Sequence, residues 1–297
     1  MILLTGASGF IGKHLVTNLQ NKFGKHNVIC FTSAPVEHAN YVLHNQYNFE
    51  SDILTKAGYA PIEVVIHAGS FTPKTIAQQN QFENCISIIN NTQKLLSLHL
   101  PYLKKFILLS TLDVYQPNIN INENSFVNPT TFYGQSKLYQ EHVVRQFCKA
   151  NKIAYTIARL GHIYGPGEEA YQKLIPTVFQ KIIQQQPIEI FGNEEDLRSF
   201  LYVEDACSVI SNLLHTTALP ELINVVSETS ISIKKIIETI LFVTGSNVSI
   251  VKSENKQVPL RSLSFENTLM RKYLMKEETS LTEGLQQEWN YLKSKYA

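Results

Sequence analysis

MILLTGASGFIG, residues 1–12, joins a short apolar segment directly to a glycine-rich turn and the start of an amphipathic segment. Ile2–Thr5 has the length and composition of a buried strand. Gly6 permits a tight turn, Gly9 permits the close approach of a ligand to the backbone, and Gly12 permits a helix to pack on the sheet. The stretch therefore predicts the strand–turn–helix unit that binds the diphosphate of a dinucleotide at a helix N-terminus.

The same alternation of short apolar and longer amphipathic segments continues through the first half of the chain. We predict strands at Ile2–Thr5, Val28–Phe31, Tyr41–Leu43, Val64–His67, Phe106–Ser110 and Tyr155–Leu160, with helices between most of them. Strands and helices that alternate at this spacing form a parallel sheet covered on both faces. The predicted fold is therefore α/β, a Rossmann-type doubly wound parallel sheet with a smaller C-terminal α/β substrate lobe.

The pattern changes after Leu160, where Gly165-Pro166-Gly167 interrupts the chain. Further strands are predicted at Pro187–Phe191, Arg198–Val203, Leu222–Val226 and Val248–Val251, and helices at Leu174–Gln185, Ile231–Thr244 and Leu281–Lys293. We predict a dinucleotide-binding domain over residues 1–165, with contributions from about 200–227, and a substrate-binding lobe over 166–199 and 228–297. The polar, Asn-rich stretch Asn118–Asn128 is predicted to be a flexible loop.

Composition excludes several classes of protein. Hydrophobic residues make up 44% of the 297-residue chain and charged residues 17%, which is typical of a globular protein. The formal net charge of +1 favours neither nucleic acid nor a membrane as a partner. The four cysteines are far apart and form no CxxC pair, so we expect reduced thiols, no metal site and a cytoplasmic protein. We expect no secretory signal, because Ile2–Leu4 leads directly into the glycine turn, and no membrane span, because the longest apolar segments are only strand-sized.

The end of the second predicted strand bears on the choice of dinucleotide. An acid at this position usually binds the adenosine ribose, but Thr32-Ser33 stands there. A carboxylate would repel a 2′-phosphate, whereas two hydroxyls can donate hydrogen bonds to it. We therefore predict NADP as the cofactor in preference to NAD. Lys13 either adds positive charge nearby or is an ordinary solvated helix residue.

Two further patterns suggest acid–base chemistry. Tyr133 and Lys137 lie four residues apart, so they share one face of a helix. A lysine cation beside a tyrosine stabilises the tyrosinate and makes proton exchange with a hydroxyl feasible. Ser110-Thr111 ends the fifth predicted strand, at the edge where open α/β sheets bind ligands, and either offers a hydroxyl to the reacting oxygen or only caps the strand.

These motifs together resemble the extended short-chain dehydrogenase/reductase family, and its NAD-dependent epimerase/dehydratase branch most closely. The resemblance covers essentially the whole chain and rests on TGASGFIG (5–12), HAG (67–69), LLSTLDVY (108–115), PTTFYGQSK (129–137), RLGHIYGPG (159–167), LRSFLYVEDA (197–206) and TSLTEGL (279–285). It implies a nucleotide-sugar substrate and a role in polysaccharide biosynthesis. We also expect the protein to form a homodimer.

The resemblance implies a role for each matching residue. Thr111, Tyr133 and Lys137 would be catalytic, with Tyr133 the acid–base; Asp113 is either a base toward a sugar carbon or a solvated loop acid. Thr111, His162, Arg198 and Arg261 would contact the substrate, the arginines through its diphosphate. The expected cofactor contacts are Gly6, Ser8, Gly9, Phe10, Ile11, Gly12, Thr32, Ser33, Ala68, Tyr133 and Lys137.

Two departures from the family pattern restrict the reaction. Ile88 stands where relatives often carry an asparagine that orders a water, and Leu112 stands where sugar 4,6-dehydratases carry an acid. Leu112 cannot donate a proton, so the elimination chemistry is incomplete. Because the missing acid after the second predicted strand favours a dissociable NADPH, we predict a 4-ketoreductase of a 4-keto-6-deoxy nucleotide sugar. The alternatives are a C4 epimerase with tightly bound NAD, then a dehydratase or decarboxylase, and last a dinucleotide sensor that has lost catalysis.

Overall fold

The computed structural model describes residues 1–216, 219–253 and 263–296. Within them the strands are β1 (Ile2–Thr5), β2 (Val28–Thr32), β3 (Asn40–Leu43), β4 (Val64–His67), β5 (Lys105–Thr111), β6 (Ala154–Leu160), β7 (His162–Tyr164), β8 (Ile188–Phe191), β9 (Leu197–Tyr202), β10 (Leu222–Val225), β11 (Ser230–Ser232) and β12 (Ile250–Ser253). The helices are α1 (Phe10–Phe23), α2 (Ile53–Lys56), α3 (Phe82–Leu96), α4 (Phe132–Ala150), α5 (Leu174–Ile183), α6 (Val203–Asn212), α7 (Ile233–Thr244), α8 (Thr268–Tyr273) and α9 (Leu281–Tyr296). The six strands predicted in the first half are all present, within one residue at each end.

Seven strands form the main sheet, in the order β3-β2-β1-β4-β5-β6-β10, and all of its pairs are parallel. The chain starts in the middle at β1, builds outward to β3, and then returns to build the other side from β4. The strand order therefore reverses between β1 and β4, which opens a crevice beyond the carboxyl ends of these strands. The predicted doubly wound parallel sheet is confirmed.

Helices cover both faces of this sheet. Successive side chains of a strand point to opposite faces, so Leu4 joins the core under α1 and α6, whereas Leu3 joins the core under α3 and α4. Leu15 of α1 and Val144 of α4 are buried in these two cores. None of the helices in the described ranges is both long enough and apolar enough to cross a bilayer.

The second half of the chain adds two small sheets, β11-β9-β7 and β12-β8, together with α5, α7 and α9. Ile175, Ile237 and Leu285 carry the core of α1 and α6 onward into these three helices. Along the chain, β10 lies between β9 and β11, and it returns to the main sheet to pair with β6. The second half therefore completes the main sheet, and the turn that precedes α5 lies next to the start of α1 beside the crevice.

Several predicted segments differ from the structure. β12 begins two residues after the predicted Val248, α5 ends two residues before Gln185, and α9 extends three residues beyond Lys293. The helix predicted from Ile231 begins at Ile233, because Ser232 accepts a hydrogen bond from the Lys235 N–H as an N-cap and residues 230–232 pair with β9. Asn118–Asn128, predicted as a flexible loop, is tied to a distant part of the chain. Ile121 is buried, its N–H donates to the Ser264 carbonyl at 2.9 Å, and its own carbonyl accepts from the Glu266 N–H at 2.9 Å.

Candidate active site

The glycine turn lies between β1 and α1, at the reversal in strand order. Gly6 has a φ of +73°, and a Cβ added there would lie 2.6 Å from the Gly69 nitrogen just after β4. A Cβ on Gly12 would lie 1.9 Å from the Gly6 carbonyl oxygen, whereas one on Gly9 would meet only that oxygen, at 3.3 Å. Gly6 and Gly12 are therefore required by the protein's own packing, and Gly9 much less so.

The first turn of α1 is suited to an anion. Gly9 is the N-cap residue, and no side chain caps the helix. Uncapped N–H groups and the positive end of the helix dipole attract phosphate. Ser8 and Gly9 are exposed at this point, while Ala68 lies against Gly6 across the turn. These residues fit the diphosphate of a dinucleotide.

Thr32 and Ser33, at the end of β2, are placed differently from each other. Thr32 is buried, donates its hydroxyl to the Ala34 carbonyl at 3.0 Å, and lies 3.4 Å from the Ser8 hydroxyl. Ser33 is exposed. The Thr32 hydroxyl is thus engaged within the turn, which leaves Ser33 to meet a ligand. Residues 33–39 contain no Lys or Arg.

Thr111, Tyr133 and Lys137 meet at the carboxyl end of β5. Thr131 caps α4 by accepting from the Gly134 N–H at 3.1 Å, which sets Tyr133 and Lys137 one turn apart near the start of the helix. The Tyr133 hydroxyl lies beside the side chains of Thr111 and Thr72, which act to lower its pKa. Lys137 is buried, and its Nζ donates to the Leu109 carbonyl of β5 at 2.8 Å.

Burial controls the protonation of this group. Burial and the negative charge of Asp113 raise the pKa of Tyr133, against the opposing hydrogen bonds of Thr111 and Thr72. Burial also lowers the pKa of Lys137 to about 7. Tyr133 is therefore protonated at neutral pH, and positive charge brought into the cleft would favour its ionisation.

Asp113 and Leu112 follow Thr111 in one short turn but face different surroundings. Asp113 is exposed, and its Oδ2 accepts from the Thr111 hydroxyl at 3.3 Å. Leu112 instead packs against an apolar cluster that includes Val114 and Val226. Position 112 therefore offers neither a proton nor a base.

His162 and Arg198 lie on paired strands of the three-stranded sheet. The His162 ring is 5.6 Å from the ring of Phe200, and its buried Nδ1 has no hydrogen-bond partner in the described ranges. Burial, then the charges of Lys173 and Arg198, lower the pKa of His162 to about 4. Arg198 donates to the Leu197 carbonyl at 2.7 Å and lies 3.8 Å from Asp196. A neutral imidazole with two nearby cations suits an anionic ligand.

Family comparison identifies the class of protein. The model of the NAD dependent epimerase/dehydratase family matches residues 2–225. The matched part runs from β1 through the end of β10 and contains the glycine turn, the Thr111–Tyr133–Lys137 group and Arg198. The chain belongs to the NAD dependent epimerase/dehydratase family. The predicted family is confirmed, and the protein is an enzyme.

Individual members of the epimerase/dehydratase family are similar at low identity. dTDP-D-glucose 4,6-dehydratase of Dictyostelium discoideum is 28% identical over 78% of this chain, which spans 59% of that protein's length. An uncharacterized UDP-glucose epimerase of Bacillus subtilis (strain 168) is 28% identical, over 99% of this chain and 98% of its own. A dTDP-4-dehydro-6-deoxy-D-allose reductase of Streptomyces bikiniensis is 25% identical, over 96% of this chain and 94% of its own.

Two solved structures of similar proteins have the same fold. UDP-glucose 4-epimerase of Thermotoga maritima, with UDP-glucose, superposes with a TM-score of 0.86 at 22% identity, over 100% of this chain and 99% of its own. MoeE5, in complex with UDP-glucose and NAD, superposes with a TM-score of 0.84 at 21% identity, again over 100% and 99%. At these identities the likeness concerns the fold.

The epimerase/dehydratase site contains residues that the sequence motifs did not indicate. Thr72 lies near Tyr133, Tyr171 lies against Phe10 at the start of α1 with ring centroids 6.4 Å apart, and Lys173 lies near His162. All three belong to irregular turns, where no periodicity marks a position as facing the cleft. Arg261, predicted as a substrate contact, lies outside the described residues.

Proposed function

We propose that the enzyme transfers a hydride at C4 of a nucleotide-activated sugar, acting as a 4-ketoreductase of a 4-keto-6-deoxy nucleotide sugar. The observation that carries this proposal is the apolar setting of Leu112 beside Thr111 and Asp113. Water elimination needs an acid in addition to Tyr133, and position 112 cannot supply one. Redox chemistry at a single carbon needs no proton donor other than Tyr133. Similarity to a dTDP-4-dehydro-6-deoxy-D-allose reductase supports the same proposal.

The residues of the site suit the reductive direction. A bound reduced dinucleotide supplies the hydride. Tyr133 donates a proton to the C4 oxygen, and its raised pKa keeps it protonated at neutral pH for this step. The Thr111 hydroxyl, which lies beside Tyr133, turns from Asp113 to donate to the same oxygen. Lys137 stabilises the tyrosinate as the proton leaves.

The substrate diphosphate is assigned to Arg198, with His162 and Lys173 beside it. Cationic donors form strong hydrogen bonds to phosphate oxygens, and the unpartnered His162 Nδ1 can accept or donate to the nucleotide sugar. Arg261 is retained as a second arginine for the diphosphate. Asp113 remains a candidate base next to Thr111.

For the cofactor we propose a dissociable dinucleotide, with NADP(H) bound at least as well as NAD(H). The end of β2 offers no carboxylate to bind the ribose diol, so the adenosine half is held loosely. Because Thr32 is buried, Ser33 is the hydroxyl expected at the 2′-phosphate. Ser33→Asp should shift the preference toward NADH by charge repulsion, measured as the ratio of the two dissociation constants.

The reaction is tested with purified protein, a reduced dinucleotide and a 4-keto-6-deoxy nucleotide sugar. We expect absorbance of the reduced nicotinamide to fall in proportion to the sugar added, and little dinucleotide to co-purify. Tyr133→Phe should lower turnover by about 10²–10⁴-fold with cofactor binding retained. Tyr139→Phe is the matched control, since Tyr139 lies on the same helix and is 53% exposed. Equal turnover in both variants would contradict the proposal.

The second candidate is a C4 epimerase with tightly bound NAD. Similarity to an uncharacterized UDP-glucose epimerase and to UDP-glucose 4-epimerase favours it. An epimerase retains stoichiometric NAD through purification and interconverts two sugars without consuming reductant. That combination would replace the reductase proposal and leave the family assignment unchanged.

We also propose a cytoplasmic homodimer. The four cysteines are free and buried, which suits a reducing compartment. Phe82 of α3 and Phe132 of α4 are 60% and 49% exposed and contact each other edge to face at 5.8 Å. An exposed aromatic pair of this kind is typical of an interface. Light scattering of the parent and of Phe82→Ser tests whether this surface joins two copies.

A further inference from the structure

The ammonium of Lys137 is held by a neutral side chain. Lys137 is buried, and its Nζ donates to Gln140 Oε1 at 2.6 Å as well as to the Leu109 carbonyl. The neighbouring carboxylate of Glu141 is engaged elsewhere, since it accepts from Arg159 Nε at 2.9 Å and from the Ser110 hydroxyl at 2.5 Å. The side-chain oxygen bonded to the ammonium is therefore that of Gln140.

Two groups orient the amide of Gln140. Its Nε2 donates to Thr92 Oγ1 at 2.7 Å and lies 3.2 Å from His67 Nε2. Thr92 uses its own proton on the Ile88 carbonyl at 2.7 Å, so its oxygen accepts from Gln140. Because Thr92 accepts on the nitrogen side, the amide oxygen faces Lys137. Rotating the amide would oppose its NH₂ group to an ammonium.

Hydrogen-bonded contacts continue from Gln140 through His67 to Thr5, the residue before the glycine turn. If His67 Nε2 accepts from Gln140, Nδ1 carries the proton and donates to Thr5 Oγ1 at 2.8 Å. Thr5 Oγ1 also accepts from the Gly69 N–H at 2.8 Å. Burial, then the charge of Lys137, lower the pKa of His67 to about 3, so the ring stays neutral. His67 Nε2 also lies 3.1 Å from Thr92 Oγ1, so the opposite tautomer, in which Nε2–H donates to Thr92 and Thr5 donates to Nδ1, fits the same distances. The direction of the hydrogen bonds at Gln140 is therefore set by Thr92, whose own proton is donated to the Ile88 carbonyl.

We propose that Gln140 is a positioning residue for Lys137, oriented by Thr92 and His67, and that it keeps the amine protonated and directed at the cleft. This inference rests on the proposed function, in which Lys137 stabilises the ionised Tyr133. An ammonium has three donors, and Leu109 and Gln140 take two of them. One donor remains for the cofactor and tyrosine side.

Other ionisable groups face Lys137 and Tyr133 and must stay unchanged in any test. Glu141, paired with Arg159, raises the pKa of Lys137; the charges of Asp113 and Tyr171 raise that of Tyr133. Cys85 packs against Tyr133 and has a pKa raised by burial. Gln140 is itself uncharged, so replacing it alters the solvation of the ammonium without adding or removing a charge.

The experiment compares Gln140→Met with the parent enzyme in the oxidative direction, where Tyr133 must be ionised. Methionine has similar size but offers no comparable acceptor, so Lys137 is more often neutral and Tyr133 ionises at higher pH. We expect the acid limb of the kcat profile to move up by about one pH unit, and kcat at neutral pH to fall by about tenfold, with KM for the sugar nearly unchanged. Thr92→Val should act in the same direction but less.

Val144→Ala is the matched structural control. Val144 lies one turn after Gln140 on α4 and is buried in the core under that helix. This variant should lower the melting temperature and leave the pH profile in place. If Gln140→Met, or Thr92→Val where the first variant does not fold, changes stability alone as Val144→Ala does, the inference is wrong.

A readout that needs no turnover separates this inference from the proposed function. In ¹⁵N-histidine-labelled protein, His67 should be a neutral ring from about pH 6 to about pH 9, and its Nε2 resonance should shift in Gln140→Met. NADP⁺ without sugar should bind several-fold more weakly to Gln140→Met than to Val144→Ala. A charged His67, an Nε2 resonance that does not move in Gln140→Met, or equal NADP⁺ binding would overturn the inference, even if no sugar is turned over.

Discussion

Gly9 and Gly12 differ in what surrounds them, although both belong to one motif. A Cβ on Gly12 would collide with the Gly6 carbonyl at 1.9 Å, whereas a Cβ on Gly9 would meet that oxygen at 3.3 Å. Gly12 is thus needed for the fold. Gly9 is needed mainly for the space that we assign to the diphosphate.

Gly9→Ala and Gly12→Ala should therefore fail in different ways. Gly12→Ala forces α1 away from the turn, and we expect a loss of about 1–3 kcal/mol or more in the free energy of unfolding. Gly9→Ala should melt close to the parent but bind dinucleotide at least about tenfold more weakly, because the new methyl group takes space at the helix N-terminus. Thermal melts and titration calorimetry measure the two effects. Equal binding by Gly9→Ala and the parent would remove Gly9 from the cofactor site.

Residues set by short-range geometry could be predicted from the sequence. Tyr133 and Lys137 share a helix face because they are four apart, and Thr111 ends a strand whose partners fix its position. Gln140 was not predicted, because its spacing from Lys137 is also that of any core residue of α4. Its role depends on Thr92 and His67, which only the packed sheet and α3 bring beside it.

Among the elements, α4 is fastened to β6 by a buried ion pair. Arg159 of β6 donates to Glu141 through Nε at 2.9 Å and Nη2 at 2.6 Å, and both side chains are buried. The Ser110 hydroxyl of β5 also donates to this carboxylate. The ion pair therefore holds α4, which carries Tyr133 and Lys137, against β6. The Ser110 hydroxyl links the same carboxylate to β5, the strand that carries Thr111.

Arg159→Met should leave a buried carboxylate without its cation. Breaking such a pair costs about 3–5 kcal/mol in the free energy of unfolding, which urea titration measures as a lower midpoint. The double variant Glu141→Leu, Arg159→Met should recover much of this loss, because no charge is then left buried. A single variant as stable as the parent would show that the pair contributes nothing to the position of α4.

Boundaries of elements followed from the sequence where local signals exist. The Ser232 cap and the extended residues 230–232 moved the start of α7 only two residues from its predicted place. The prediction for Asn118–Asn128 was weaker for a physical reason. Its fixed conformation depends on Ser264 and Glu266, more than a hundred residues away, and no local pattern reports such pairing.

At the scale of the whole molecule, two buried carboxyl groups interact electrostatically, one in the turn that precedes α5 and the other in α9. Glu168 and Glu288 are each 1% exposed, and Glu168 Oε1 and Glu288 Oε2 have no hydrogen-bond partner within residues 1–216, 219–253 and 263–296. Burial raises the pKa of Glu168 to about 8, and burial with the charge of Glu168 raises that of Glu288. The folded protein therefore holds protons at neutral pH that the unfolded chain releases.

This difference predicts how stability depends on pH. A carboxyl whose pKa is 4.5 when unfolded and about 8 when folded makes the free energy of unfolding fall as pH rises between these values. The parent should melt at a lower temperature at pH 8 than at pH 6. Glu168→Gln should raise the melting temperature, and more so at pH 8, because the neutral amide removes the penalty.

Glu169→Gln is the opposite control. Burial acts to raise the pKa of Glu169, but hydrogen bonds from Lys295 and Tyr291 outweigh burial and hold this pKa below its usual value. Its stabilising effect is fully present at neutral pH, so its loss should lower the melting temperature at both pH values. If Glu168→Gln behaves like Glu169→Gln, the carboxyl at 168 is ionised in the folded protein.

The place of β10 in the main sheet has a consequence for synthesis on the ribosome. β1 through β6 are complete by Leu160, but β10, the strand that pairs with the outer side of β6, begins only at Leu222. From the time that β6 leaves the ribosome until residues 222–225 leave it, the outer edge of β6 has unpaired N–H and C=O groups. Unpaired strand edges are the sites at which growing chains associate wrongly. This interval is thus the one in which a chaperone has most to shield, and a pause in translation before Leu222 would lengthen it.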